Sequence, residues 1–420
     1  MPQDMTVQNH IFSIWRDICA KYGYEEYNAS VLEPAELYKA KSGEEIVNEQ
    51  TYTFIDRGDR EVTLRPEMTP TLARMISAHK RELIFPVRWF SIPNVFRYEQ
   101  PQRGRLREHW QLNVDIMGIK SSSAEIEVIN MAYDITKAYG LKDVDFEIRL
   151  NNRKITNYIF STYLSLNEEQ SHKLGKIIDR KQKMDSESFD ESCKDILHDE
   201  EKVQKLKLIL NSKNFQEFAS HFKTTEQEES GFSEIRQVIE GLSALNINNV
   251  RFDQTLMRGF DYYTGTVFEI FDLNPSNRRS VFGGGRYDEL GKIFGEESVP
   301  AFGFGAGDVI ARDLLETYSM IPKHNKENTV SIVSVSNEVI PYCFELAQRL
   351  RQSNINILID FSDKKIGDKI SSAFKRGIRK CITIGDNEVK SGILPVKDLS
   401  LNKEEKISED QITNYLLNKI

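Results

Sequence analysis

Residues 322–328, Pro-Lys-His-Asn-Lys-Glu-Asn, form a polar, aperiodic break in the chain, the best linker candidate in it. That break constrains the fold more than any single motif. Beyond it, residues 330–335, 355–360 and 381–384 read as strands, and a helix carries Phe344, Leu346, Leu350 and Arg351. A second helix over 366–376 stops at Gly377, and a strand near 393–397 and a helix over 411–417 complete the series. Strands alternating with helices of this length imply a small, largely parallel α/β domain, here residues 329–420, with 322–328 as the linker.

Before the break the pattern is that of an α+β domain over residues 1–321. Ile11, Ile14, Trp15 and Ile18 fall at helical spacing, and Tyr22-Gly23 closes that helix. Short apolar runs at 52–55, 62–64 and 87–90, separated by turns, predict strands of a mostly antiparallel sheet. Helical periodicity returns over 124–139, and strands resume at 250–252, 266–271 and 280–282. Between them, about 153–245 is rich in Lys, Glu, Asp and Ser with spaced Leu and Phe. It reads as a helical insertion, a solvated surface module with no catalytic role.

Composition narrows the function classes. At 420 residues, with roughly 150 per domain as the prior, two or three domains are expected. Charged residues are 29% and hydrophobic ones 39%, the balance of a folded globular chain. Lys+Arg is 56 and Asp+Glu 64, a net charge of −8, which argues against generic, charge-driven nucleic-acid binding but not against a local basic face. Cys19, Cys193, Cys343 and Cys381 are far apart and form no CxxC, so neither a zinc site nor a disulfide framework is expected. No apolar run approaches the ~20 residues of a membrane span, and the start Met1-Pro2-Gln3-Asp4-Met5 is unlike a secretory signal. A cytoplasmic protein with no membrane partner is the expectation.

Four constellations carry chemistry. In Phe96-Arg97-Tyr98-Glu99, Arg97 and Glu99 share one face if the segment is a strand. The loop that follows holds Arg103, Arg105 and Arg107 around Gly104, then Gln111-x-x-x-Asp115. Guanidinium forks suit phosphate oxygens; the alternative is a charged, exposed hairpin. Arg258-Gly259-Phe260-Asp261-Tyr262-Tyr263-Thr264-Gly265 joins an arginine to paired phenols, the equipment of a small polar-ligand pocket, with aromatic hairpin packing as an even alternative. Gly283-Gly284-Gly285-Arg286-Tyr287-Asp288 and Gly303-Phe304-Gly305-Ala306-Gly307 suggest close approach of a flat group, and match neither a P-loop nor a dinucleotide fingerprint. In Thr63 to Pro70, Glu67 and Thr69 suit an ammonium group, or else begin a helix. A basic island of Lys364, Lys365, Lys369, Lys375 and Arg376 with Arg379 and Lys380 suits RNA, or is a solvated helix face.

Together and in this order, these motifs resemble the histidyl-tRNA synthetase family of class II aminoacyl-tRNA synthetases. The Arg258–Gly265 stretch is similar to the histidine-specific signature, Phe96–Glu99 to motif 2 of the class, and Gly303–Gly307 to motif 3. The resemblance implies a class II catalytic domain with an antiparallel sheet, a helical insertion and a C-terminal anticodon-binding domain. It implies a homodimer formed through residues 1–35. It implies ATP-dependent activation of L-histidine and transfer to tRNA(His), with Mg²⁺ neutralising the pyrophosphate and no resident metal site. By the same resemblance, Arg97 and Arg258 are catalytic. Glu67, Thr69 and Gln111 hold the α-ammonium group, and Asp115 and the Tyr262/Tyr263 pair face the imidazole. Arg97, Glu99, Arg105, Arg107 and Gly305 bind ATP, and Lys364, Lys365, Lys369, Lys375 and Arg376 bind tRNA.

One position departs from the pattern. The class ends motif 3 in an arginine for the ATP γ-phosphate, and Ile310 stands in that place, with Asp308 nearby. Arg312 lies two residues on, about 200° around a helix from position 310. The departure opens a second reading, a catalytically weakened histidine-binding regulatory paralogue. A synthetase for proline or threonine is a third, opposed by the Arg258–Gly265 signature. Losing one such contact weakens ATP binding without abolishing chemistry, and Arg103, Arg105 or Arg107, close in sequence to Arg97, is expected to take it up.

Overall fold

The structure is a computed structural model that describes residues 1–39, 50–100, 104–181, 184–223, 231–257, 262–277, 279–289, 299–323, 326 and 328–418. The chain divides into two compact units, Met1–Pro322 and Lys323–Ile420.

The first unit contains strands β1 (Glu25–Glu26), β2 (Leu32–Pro34), β3 (Tyr52–Ile55), β4 (Glu61–Leu64), β5 (Val87–Ser91) and β6 (Asn94–Phe96). It continues with β7 (Glu108–Met117), β8 (Phe146–Asn152), β9 (Val250–Phe252), β10 (Thr266–Asp272), β11 (Ser280–Arg286) and β12 (Ala301–Gly307). The large sheet runs β1-β5-β7-β12-β11-β10-β8-β9, with β6 paired to β7. Only its terminal pairs, β1 with β5 and β8 with β9, are parallel among the described strands. The smaller antiparallel sheet runs β2-β4-β3.

The large sheet obeys a strict period of two. Leu112, Val114 and Ile116 of β7, Phe302, Phe304 and Ala306 of β12, Phe282 of β11 and Phe268 and Ile270 of β10 are all buried on one face. Helices Pro2–Lys21, Ser123–Ala138 and Asp308–Thr317 cover that face with Ile11, Trp15, Val128, Ile135 and Leu314. The apolar half of each strand is therefore committed to the core. The other half carries most of the polar residues and glycines, with a few apolar ones such as Met117, Val267 and Ala301, and is left to form a site.

Helices fill the interval from β8 to β9, and their starts are written in the sequence. Asn167, Asp185, Asp199 and Asn214 each accept a backbone N–H of the helix they precede. A cluster of phenylalanines unites this segment with the sheet, Phe218 lying 4.7 Å from Phe252 of β9 and 5.8 Å from Phe232. The last helix, Phe232–Ala244, packs on Ser123–Ala138 through Gly241, where a Cβ would sit 2.3 Å from Ile126. That helix belongs to the core of the unit rather than to a detached surface module.

In the second unit β13 (Thr329–Ser334), β14 (Asn356–Asp360), β15 (Lys380–Ile384), β16 (Ile393–Asp398) and β17 (Lys403–Ser408) form a sheet in the order β14-β13-β15-β16-β17. The first three are mutually parallel, and β16 and β17 add in antiparallel fashion. β17 has no counterpart in the sequence reading. Its Lys-Glu-Glu-Lys start is exposed at the sheet edge, so no apolar alternation marks it.

Candidate active site

The register of the large sheet assembles its non-core face. Asp115 of β7 lies between Trp89 of β5 and Gly303 of β12, and Gly303 pairs in turn with Gly285 of β11. Two residues along, Asn113, Gly305, Gly283 and Glu269 form the next row. Gly307 then pairs with Gln111. The glycines are open because side chains lie across them. A Cβ on Gly303 would sit 2.1 Å from Asp115 Oδ1, and one on Gly305 would sit 2.1 Å from Gln111 Nε2. Asp115 and Gln111 therefore lie over β12 instead of standing upright.

One end of this face is buried. Asp115 Oδ1 accepts a hydrogen bond from the Tyr287 hydroxyl. Its Oδ2 is buried with no hydrogen-bond partner among the described residues, and so is Gln111 Oε1. Burial lifts the Asp115 carboxyl from 3.8 to about 7, against the opposing donation from Tyr287. Tyr262 donates to Glu67 Oε2 at 3.1 Å. Its ring meets Tyr263 at 5.1 Å and Tyr287 at 5.9 Å, edge to face. Burial holds the phenols of Tyr262 and Tyr287 well above their usual range, so they remain donors. Thr69 opens the helix Thr69–His79 beside the Tyr262 phenol. Glu67, Thr69, Asp115, Tyr262 and Tyr263, singled out from three separate stretches, thus gather at this end, and Gln111 lies between them and the cavity beyond. An orphaned buried acceptor costs about 1–3 kcal/mol, and a ligand with N–H donors removes that cost.

The other end is an open cavity of about 560 Å³ lined by Arg97, Glu99, Arg105, His109, Gln111, Glu269, Arg279, Gly305, Gly307 and Ile310, among others. β6 stops at Phe96, so Arg97 and Glu99 are not on a strand as the alternation predicts. The Arg97 N–H bonded to the Arg107 carbonyl, at 2.9 Å, continues the hairpin and keeps both side chains on the cavity. Arg97 Nε donates to the Pro66 carbonyl at 2.9 Å, beside Glu67. Arg105 is 60% exposed and 3.4 Å from Glu99. Burial, reinforced by the Arg97 charge, lowers His109 to about 4, so a neutral imidazole lines the wall. Arg107 stands apart from the lining. Its guanidinium lies 4.6 Å over the Tyr98 ring and its Nε donates to the Glu99 carbonyl. Arg103 and Arg258 lie outside the described residues.

The region around Ile310 differs from the sequence expectation. Asp308 adds no charge to the cavity. Its carboxylate accepts the Trp110 backbone N–H at 3.0 Å and Gln8 Nε2 at 2.8 Å, tying β7 to the N-terminal helix. Arg312 points outward to Asp4 and Glu316, each at 2.9 Å. Residues that escaped the sequence reading as site residues include Tyr287 at the buried end and His109, Glu269 and Arg279 in the cavity. Tyr287 follows the triple glycine directly, a signal that was present. Arg279 sits in a polar turn with no pattern to mark it.

Comparison with known proteins agrees with this geometry. The histidyl-tRNA synthetase family profile matches residues 1–307. The chain belongs to the histidyl-tRNA synthetase family. It is 40% identical over 401 residues to the histidine–tRNA ligase of Leptospira biflexa, covering 95% of this chain and 91% of that one. It is 32% identical over 415 residues to the histidine–tRNA ligase of Thermoplasma volcanium, covering 99% and 96%. The fold is shared with the crystal structure of histidyl-tRNA synthetase from Nostoc sp., with a TM-score of 0.84 at 23% identity over 100% of this chain and 97% of that one.

The family's second module, an anticodon binding domain, matches residues 329–419. In this unit Lys364, Lys365, Lys375 and Arg376 are exposed around the helix Ile366–Lys375. Lys369 is a correction to the basic island. It is buried, and its ammonium donates to the Ser334 carbonyl at 3.0 Å, pinning the helix to β13. Lys380 is buried as well. The outer basic face therefore begins and ends the helix instead of running along it.

Proposed function

We infer that this chain is a histidine–tRNA ligase that activates L-histidine with ATP and transfers it to the 3′ end of tRNA(His). The observation that carries the reading is the continuity of one sheet face. Gln111 touches the cationic cavity, and Asp115, four residues along β7, ends in the buried pocket. That separation is about 13 Å, room for an amino acid between an imidazole site and a reacting phosphate.

The chemistry follows from the two ends. The histidine carboxylate attacks the α-phosphorus of ATP; a carboxylate O–P bond forms and the bond to the leaving pyrophosphate breaks. Both reactants are anions, so catalysis consists of positioning and charge neutralisation. Arg97 holds the α-phosphate. Arg258 neutralises the attacking carboxylate and the α-phosphate together. Glu67, Thr69 and Gln111 hold the ammonium group, Glu67 as the counter-charge. Asp115 accepts from one imidazole N–H, and Tyr263 serves the other ring nitrogen. A pocket built to satisfy both nitrogens rejects side chains that leave its polar groups unpaired. Mg²⁺ enters with the ATP polyphosphate, and the carboxylates of Glu99 and Glu269 are hard oxygen donors of the kind it takes.

The exposed cations Lys364, Lys365, Lys375 and Arg376 flank the exposed ring of Phe374, a combination suited to single-stranded anticodon bases. Leu32 and Phe54 are exposed on one face of the small sheet, an apolar area that a second copy covers in a homodimer. The site of action is the cytoplasm, where tRNA is charged. The deciding experiment is ATP–pyrophosphate exchange with each standard amino acid. Exchange stimulated by histidine alone is expected; stimulation by another amino acid but not histidine overturns the reading.

A further inference from the structure

Among the described residues, Arg279 is the one cavity-lining arginine that no motif accounts for. It precedes β11, and its carbonyl accepts the Asp272 N–H at 2.9 Å, which fixes the base of the β10–β11 hairpin. Its Nη2 donates to Asp313 Oδ2. Asp313 is itself buried, so the guanidinium is held by a carboxylate that water does not reach. The arginine side chain remains 28% exposed, on the cavity side. Its Nε is buried and has no hydrogen-bond partner among the described residues.

Two neighbours shape the surroundings of this guanidinium. Gly104 passes directly over it with φ +80, and a Cβ there would sit 2.6 Å from Arg279 Nη1. Any side chain at position 104 would displace the arginine or lift the loop. Ile310 lines the same cavity, and Asp313 stands three residues after it on the helix Asp308–Thr317. Residues three apart share a helix face. The ion pair thus delivers a fixed positive charge to the face of the helix where Ile310 has none.

We propose that Arg279, held by Asp313 and covered by Gly104, binds the distal phosphates of ATP. This rests on the ligase reading above and assigns the contact that Ile310 does not make. Arg97 lies toward Pro66 and the amino-acid end, and Arg279 lies toward Ile310 at the far side of the cavity. A guanidinium fixed by a buried carboxylate, with part of its surface open to the cavity, is a preorganised donor for a phosphate oxygen. Arg105, exposed and paired with Glu99, is a weaker candidate for the same contact.

The test compares ATP with AMP. The variants are Arg279→Ala and, because removing Arg279 alone strands the Asp313 carboxylate, the double variant Arg279→Ala/Asp313→Ala. Calorimetry measures ATP and AMP binding to the full-length proteins, and histidine-dependent exchange supplies KM for ATP and for histidine. A lost hydrogen bond to a charged group corresponds to roughly 10- to 150-fold. That factor is expected in Kd and KM for ATP, with Kd for AMP and KM for histidine changed by less than about 3-fold. A merely structural arginine would move AMP and histidine together with ATP, and that result overturns the proposal. Unchanged ATP affinity in folded variants overturns it equally. If the parent binds ATP more tightly than AMP yet shows no histidine-dependent exchange, the ligase reading fails while the role of Arg279 is still decided by the binding data.

Discussion

The two ends of the polar sheet face solve different problems. At the Asp115 end, Tyr262 and Tyr287 are buried, the carboxyl is pushed up to about 7, and acceptor atoms are left without partners. At the Arg97 end the cavity is open, and Arg105 meets Glu99 in partial contact with water. Desolvation makes the first end selective, because each missing hydrogen bond is costly there. On the proposed function, charge density suits the second end to a polyphosphate and leaves it undemanding about its exact partner. A change of arginine position is therefore tolerable at the open end in a way that a change of hydrogen-bonding group is not at the closed one.

The comparison breaks most easily at Asp115. Asp115→Asn is expected to lower kcat/KM for histidine in the exchange reaction by roughly 10³-fold, with KM for ATP nearly unchanged. A loss below about 10-fold would mean that the buried end is structural. Arg97→Ala comes next, with a fall in adylate formation of roughly 10²-fold at saturating histidine and ATP, read by single-turnover kinetics. An unchanged rate removes Arg97 from the reacting phosphate.

The same asymmetry predicts a pH signature in stability. The Asp115 carboxyl is raised from 3.8 to about 7 in the folded protein, so the folded state holds its proton more tightly than the unfolded chain does. That contribution is full below the unfolded value near 3.8 and is lost as pH rises through about 7. In the absence of histidine, Asp115→Asn removes the loss and stabilises the protein above pH 7 relative to the parent, by roughly 4 kcal/mol at most. Denaturant midpoints at pH 5 and pH 8 measure it; parallel shifts of parent and variant refute it. The smallest effect is expected at Arg105. Being 60% exposed, it is screened by water, and Arg105→Ala should change KM for ATP by less than about 3-fold. A larger change would move part of the polyphosphate contact from Arg279 to the motif 2 loop.

Much of this architecture was legible beforehand, and the exceptions share a cause. The first helix, the early strands and the β-α-β alternation of the second unit follow from apolar periodicity, which reports burial directly. β17 was not legible because an exposed edge strand buries nothing, and its pairing with β16 is set by the partner strand. Lys369 read as one more surface cation because its neighbours are cations; only the close approach of helix Ile366–Lys375 to Ser334 turns it inward. The glycines of β11 and β12 were visible as a pattern, but what they make room for, Asp115 and Gln111 lying across β12, depends on strand register.

The sequence alone determined the identities and the order of the groups proposed to touch substrate: Glu67, Thr69, Arg97, Gln111, Asp115, Tyr262 and Tyr263 all lie in stretches whose residue types are unusual for a core or a surface. Tertiary structure decided how they are completed. Tyr287 reaches Asp115 across 172 positions of sequence, and Arg279 reaches Asp313 across 34. Neither pair has a local signature, because a hydrogen bond between strands, or from a strand to a helix, leaves no periodicity in either segment. The buried carboxyl near pH 7 and the fixed arginine opposite Ile310 are both properties of such pairs, and they exist only once the sheet and the helix Asp308–Thr317 have packed.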